Sequence, residues 1–287
     1  MAWADKKILV IGGDQRLLLL ADLLKNSFRS VQVYALAGAD SLAKIEKADS
    51  LKKGLEGADI IVGPVPFTKD GIHILTKENT TILLTDFMES LMENGILFGG
   101  NIPISVVEAA KLKNIKCCDF MKMEEVALEN AISTAEGAIA EAITLSPQNV
   151  NQQNCLVLGY GRCAKAIAQR LKGLNAKVTI AARKDTARKD AISQGYGAIS
   201  LEELNDSISK EQFIFNTIPF RVLNGDLIEK VATDAVIIDI ASSPGGTDFE
   251  ACARRGIQAK LSLGIPGRFS PKTSAVIMLR GMMASLE

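Results

Sequence analysis

Short apolar runs rich in β-branched residues recur along the chain, each followed by a longer segment of helical period. The first series is Ile8–Ile11, Val31–Tyr34, Ile60–Val62, Thr81–Thr85 and Ile115–Cys118. A second series comprises Cys155–Leu158, Val178–Ala181, Phe213–Asn216, Ala235–Ile240 and Gln258–Leu261. Such βαβα alternation predicts parallel sheets covered on both faces, so the expected fold is α/β with two doubly wound domains. Between the series, Val126, Ala127, Ala131, Ile132, Ala135, Ile139 and Ile143 stand at three- and four-residue spacings without an intervening proline. They predict one long helix over 123–145, and the polar, proline-bearing stretch 146–154 then breaks the period. The expected domains are therefore residues 1–145 and 146–270. A last helix, 271–287, carries Ala275, Met278, Leu279 and Met282 on one face and is expected to return to the first domain, leaving a cleft between two lobes.

Charge and cysteine content narrow the function. The 287 residues hold 33 basic and 33 acidic side chains, so no global field draws a polyanion, and neither nucleic acid nor an acidic membrane surface is expected as main partner. The opening Met1-Ala-Trp-Ala-Asp5-Lys-Lys runs straight into a strand-like segment with no apolar stretch long enough for a leader or a membrane span, which predicts a cytoplasmic protein. Five cysteines, at 117, 118, 155, 163 and 252, follow no paired-ligand spacing. They read as small core residues, with no metal site. His73 is the lone histidine; no Ser-His-Asp set can be argued around it, and a surface or structural role is expected over a catalytic one.

The segment Cys155-Leu-Val-Leu-Gly159-Tyr160-Gly161-Arg162-Cys163-Ala164 places a G-x-G-x-x-A turn between a buried strand and an amphipathic helix. In that context Gly159 permits a tight turn and Gly161 a close approach of backbone to a pyrophosphate, while Ala164 is small enough for helix–strand packing. The free N–H groups at the helix start face the anion. The next strand ends Ala182-Arg183-Lys184, with Arg183 24 positions after Gly159. An acidic residue there would accept a ribose hydroxyl, whereas an arginine forks onto a 2′-phosphate; NADP is expected over NAD, with a solvated basic edge as the alternative. Asn216-Thr217-Ile218-Pro219 and Asp239-Ile240-Ala241-Ser-Ser-Pro-Gly-Gly246 end two later strands, and Gly264-Ile-Pro-Gly267 follows the last. All three are expected around the nicotinamide, because ligands of open α/β sheets bind outside the carboxyl ends of strands, although turn punctuation alone accounts for each.

In the first lobe Gly12-Gly-Asp14-Gln-Arg16 ends the first strand without dinucleotide spacing. Asp14 and Arg16 suit a small anionic substrate, or else Asp14 caps the helix and Arg16 is exposed. Pro64–Phe67 and Thr134-Ala-Glu136-Gly137 are expected to line the same cleft.

Gly12–Arg16, Asn130–Gly137, Gly159–Ala164, Asp239–Gly246 and Pro266-Gly-Arg268-Phe-Ser-Pro-Lys272-Thr273 together resemble the family formed by the A subunit of dipicolinate synthase across nearly the whole chain. The nucleotide lobe alone also resembles shikimate and 2-hydroxy-acid dehydrogenases. The resemblance implies NADP-dependent oxidation of dihydrodipicolinate to dipicolinic acid in the mother cell during sporulation. It also implies a flavoprotein-like partner, the B subunit, with a homo-oligomer left open. For such a dicarboxylate, Arg16 is expected on one carboxylate and Lys272 or Arg268 on the other, with Asp14 or Glu136 orienting the ring or receiving the proton. Two other readings stand beside it: a dehydrogenase or reductase of another small carboxylic acid, and a nucleotide-sensing protein without catalysis.

Overall fold

The computed structural model describes residues 5–43, 45–77 and 79–287. The segment Met1-Ala-Trp-Ala, on which part of the leader reading rests, lies outside them. Contacts divide the chain into two compact units, one running to Asn130 and resuming at Ser270–Glu287, the other Ala131–Phe269.

In the first unit six strands, β1 (Lys7–Ile11), β2 (Ser30–Tyr34), β3 (Glu46–Lys47), β4 (Ile60–Val62), β5 (Gly95–Gly99) and β6 (Ile115–Asp119), pair in the order β3-β2-β1-β4-β5-β6, all parallel. In the central strands β1 and β4 the side chains alternate between two buried faces. Ile8 and Val10 join one core with Leu17, Leu20 and Leu24 of α1 (Gln15–Leu24), whereas Leu9 and Ile11 join another with Leu55 of α2 (Leu51–Leu55), Phe87 of α3 (Leu84–Ser90) and Val106 of α4 (Ile104–Leu112). Burial on both sides is why these strands read as unbroken apolar runs. One expected strand is corrected here: Thr81–Thr85 is not a strand but leads into α3, where Leu84, Phe87 and Leu91 at helical spacing are buried, and the strand itself is the overlooked β5.

The 22-residue α5 (Glu124–Leu145) runs from the first unit into the second. The second unit repeats the architecture with β7 (Asn154–Leu158), α6 (Arg162–Gly173), β8 (Lys177–Ala181), α7 (Asp185–Ser193), β9 (Gly197–Ile199), α8 (Leu204–Ser207), β10 (Phe213–Asn216), α9 (Gly225–Ile228), β11 (Val236–Asp239), α10 (Phe249–Arg255), β12 (Gln258–Leu261) and α11 (Ile265–Phe269). Its parallel order is β12-β11-β10-β7-β8-β9, the same winding as the first sheet when each is counted from its own first strand. The contact boundary falls inside α5, not after residue 145, because Ala131, Ala135, Ala138 and Ala142 share a core with Val157 of β7 and Ile167 of α6. Helix α12 (Pro271–Leu286) packs on α1, with Ala275, Met278 and Met282 buried. No helix among the described residues is long and apolar enough to cross a membrane.

Candidate functional site

The second sheet reverses its winding between β7 and β10, and the turn after β7 sits there. Gly159 has φ +94°, its N–H donates to Ala181 O at 2.9 Å, and a Cβ added to it would lie 2.5 Å from Thr217 Oγ1. Thr217 in turn donates its hydroxyl to Leu158 O at 2.8 Å, binding the β10 end to the β7 end. Only glycine meets both demands. Gly161 is the N-cap of α6; it brings no side-chain acceptor to the first turn, and among the described residues nothing lies within 4 Å of where its Cβ would stand. Ala164 is fully buried beneath. An open cradle under the positive end of a 12-residue helix fits a diphosphate. Beside it the Lys165 ammonium lies 4.7 Å from the Tyr160 ring centre, and burial pushes the Cys163 thiol up.

At the β8 end Ala182 is buried while Arg183 and Lys184 are exposed. Among the described residues the Arg183 guanidinium has no hydrogen bond or ion pair. Arg188 behaves differently: its Nη1 donates to Ala182 O at 2.8 Å and Arg183 O at 2.9 Å, and Nη2 reaches Asp185 at 3.3 Å.

The β10 and β11 ends are built from inward-turned polar groups. Asn216 is fully buried; its side chain accepts from Ile218 N at 3.1 Å and donates to Ile218 O at 3.0 Å, so it shapes the turn and does not face a ligand as its place in the sequence suggested. Ile218 is half-buried and Pro219 exposed. Asp239, fully buried, accepts from Ala241 N at 3.0 Å, Gly246 N at 2.7 Å and Thr247 Oγ1 at 2.8 Å, and thereby folds back the loop carrying Ile240 and Ala241. Its signal in the sequence was a carboxylate closing an otherwise apolar strand just before a glycine pair. Gly264, at φ +64°, has open space around it.

Sequence reasoning missed a second buried carboxylate. Glu141 of α5 is 6% exposed; Oε1 accepts from Lys260 at 2.8 Å and Arg268 at 2.7 Å, and Oε2 accepts from the Ser262 hydroxyl. Burial alone would raise its pKa, but these donors outweigh it and hold the carboxyl below the usual range. Arg268 also donates to Ser262 Oγ at 2.6 Å and Leu263 O at 3.2 Å. No spacing along the chain announces a group whose members stand up to 127 positions apart. Nearby in sequence, Glu136 is exposed and paired with Arg170 at 3.2 Å, while Gly137 lies against Ile265 and Phe269, allowing α11 onto α5.

In the first unit Asp14 caps α1, accepting from Arg16 N at 3.0 Å. Arg16 does not present an open guanidinium: it is 7% exposed and donates to both Asp14 oxygens and to Val65 O. Burial acts to raise the Asp14 pKa, and the bonds and charge of Arg16 outweigh it, holding the carboxyl low. The crevice between β1 and β4 is filled by the chain itself, with Gly13 N donating to Leu75 O at 2.7 Å. Lys272 is exposed in the first turn of α12. His73 pairs with Asp70 at 2.7 Å, both well exposed to water.

The family of N-terminal domains from the A subunit of dipicolinate synthase matches residues 7–121, and the NAD binding domain of D-isomer specific 2-hydroxyacid dehydrogenases matches residues 125–244. The dipicolinate synthase A subunit of Bacillus subtilis (strain 168) is 29% identical over 278 residues, 95% of this chain and 93% of that protein. The crystal structure of the dipicolinate synthase A subunit from Bacillus halodurans is similar with a TM-score of 0.89 at 26% identity, covering 99% of both chains. That of the corresponding dipicolinate synthase polypeptide from Bacillus subtilis gives 0.85 at 26%, covering 98% of this chain and 96% of that one. The second unit thus carries a pyridine-nucleotide binding domain of the oxidoreductase type. Residues 7–121 thus match the N-terminal domain family of the dipicolinate synthase A subunit, and the chain is similar to that protein along nearly its whole length.

Proposed function

We propose that this protein binds NADP on its second unit and oxidises dihydrodipicolinate to dipicolinate, acting in the cytoplasm with a flavoprotein-like B subunit. One observation carries the nucleotide reading: the open Gly159–Gly161 turn beneath α6, which has no side-chain cap, stands one strand away from an Arg183 guanidinium with no partner among the described residues. Backbone N–H groups of the turn would hold the diphosphate, and Arg183 would fork onto the 2′-phosphate. Arg188, by fixing the Ala182 and Arg183 carbonyls, presents that arginine at the strand end. Ile218, Pro219, Ile240, Ala241 and Gly264 would flank the nicotinamide, whose chemistry when bound is to accept a hydride.

The dicarboxylate substrate comes from the likeness to dipicolinate synthase. It loses one hydride and one proton and becomes aromatic, so the chain's task is mainly to position it and exclude competing reactions. Arg268 is the cation of the second unit proposed for one of its carboxylates. Asp14, held low by Arg16, is a weak base. Glu136 is the carboxylate left to receive the proton, in a step that aromatisation favours.

The test is incubation of the protein with dihydrodipicolinate and either NADP or NAD, with and without the flavoprotein-like partner, following dipicolinate absorbance. Formation of dipicolinate, faster with NADP, is expected. No product with either nucleotide, even when that partner is present, removes the reading.

A further inference from the structure

The Glu141 group holds more positive charge than it neutralises. Lys260 and Arg268 both bond the same carboxylate oxygen, at 2.8 and 2.7 Å, so two cations stand together against one anion. One cation would have sufficed to satisfy a buried carboxylate. The surplus charge is not shut away: the Lys260 and Arg268 side chains are 44% and 43% exposed, whereas Glu141 and Ser262 are buried. Arg268 engages three acceptors, Glu141, Ser262 and Leu263 O, leaving two of its five N–H donors; Lys260 engages one, leaving two of three. Buried acceptors with spare donors on two half-exposed cations suit an external anion that the two can share.

Its place in the sheet gives the anion a role. Ser262 follows the carboxyl end of β12, and Arg268 lies in α11 just beyond, so the group stands at the same end of the sheet as the Gly159 turn and the loops after β10 and β11. The cradle and Arg183 occupy the β7–β8 side, and Lys260 and Arg268 the opposite side past β10 and β11.

We infer that Lys260 and Arg268 form a carboxylate-binding subsite of the second unit, and that buried Glu141 is the positioning residue that aims them. The identity of the carboxylate as one arm of a pyridine dicarboxylate rests on the proposed function; the subsite itself rests on the charge group.

Calorimetric titration of dipicolinate, and separately of glutarate, into NADP-saturated protein tests it with wild type, Lys260→Gln, Lys260→Arg and Glu141→Gln. The NADP affinity of each protein serves as the control for folding. Lys260→Gln and Glu141→Gln are expected to weaken dicarboxylate binding about tenfold while NADP affinity stays within about twofold, and Lys260→Arg to retain most of the binding. Lys260→Gln decides the matter should Glu141→Gln fail to fold. Dipicolinate binding that is equal in wild type and Lys260→Gln overturns the subsite and leaves the dihydrodipicolinate reading intact. Glutarate binding that depends on Lys260, with no binding of dipicolinate, supports the subsite and removes that reading. Failure of both probes on the wild type overturns the subsite.

Discussion

Arg183 and Arg188 stand five residues apart and their guanidinium groups do opposite things. Arg188 turns back onto two carbonyls, and Arg183 faces water from the same loop. Replacing Arg183 with alanine should therefore remove a ligand contact without loosening the loop. NADP affinity is expected to fall about 10- to 100-fold, as for one lost charge-assisted bond, and NAD affinity to change little; equal losses measured by titration would sink the 2′-phosphate assignment. The alternation of roles was not legible in the sequence, where three basic residues in six positions look alike; only the fold shows which one is tied down. Glu211 poses a different residue-scale problem. It is 5% exposed, its Oε2 has no hydrogen-bond partner among the described residues, and burial pushes its carboxyl up to about 7, with Lys210 pulling the other way. A folded pKa above the unfolded one means its stabilising contribution is complete below about pH 4.5 and is lost as pH rises through about 7. The loss is about 3 kcal/mol. Glu211→Gln should remove most of that slope, seen as a smaller fall in urea-unfolding free energy between pH 5 and 8; an unchanged slope would place the pH dependence elsewhere.

At the scale of elements, the segment over 81–91 shows where periodicity misleads. Thr81-Ile-Leu-Leu84-Thr85 has the look of a short strand, yet Leu84, Phe87 and Leu91 make a helical stripe that wins once burial is counted over two turns. Short apolar runs carry both periods at once, whereas Cys155–Leu171 was legible because strand, turn and helix agree within one contiguous stretch. The Glu141 group was not, since its partners come from β12, the loop after it and α11. Close packing of elements also gives a test. A Cβ on Gly137 would lie 2.2 Å from Ile265 Cγ2 and 2.9 Å from the Phe269 ring. Alanine in a helix interior gains about 1 kcal/mol over glycine, but forcing α11 off α5 costs about 1–3 kcal/mol, and fully buried Ile265 has little room to yield. Gly137→Ala should thus be a net destabilisation of about 1 kcal/mol in denaturant unfolding; a gain in stability would mean that α11 does not rest on α5.

On the scale of the whole molecule, the same winding order occurs twice, and the sequence revealed both copies because each sheet is buried on both faces and leaves uninterrupted apolar runs. What sequence pattern did not reveal is how differently the two reversal points end. At one, Gly161 opens onto empty space; at the other, Gly12 and Gly13 are buried under the segment carrying Leu75, whose carbonyl oxygen lies 2.6 Å from where a Gly12 Cβ would stand. The stoichiometry follows. Although the chain winds two sheets that have the topology of a coenzyme carrier, equilibrium dialysis should saturate at a single pyridine nucleotide per polypeptide, since the backbone has already occupied the other berth; a second equivalent taken up with comparable affinity would show that this internal occupant gives way.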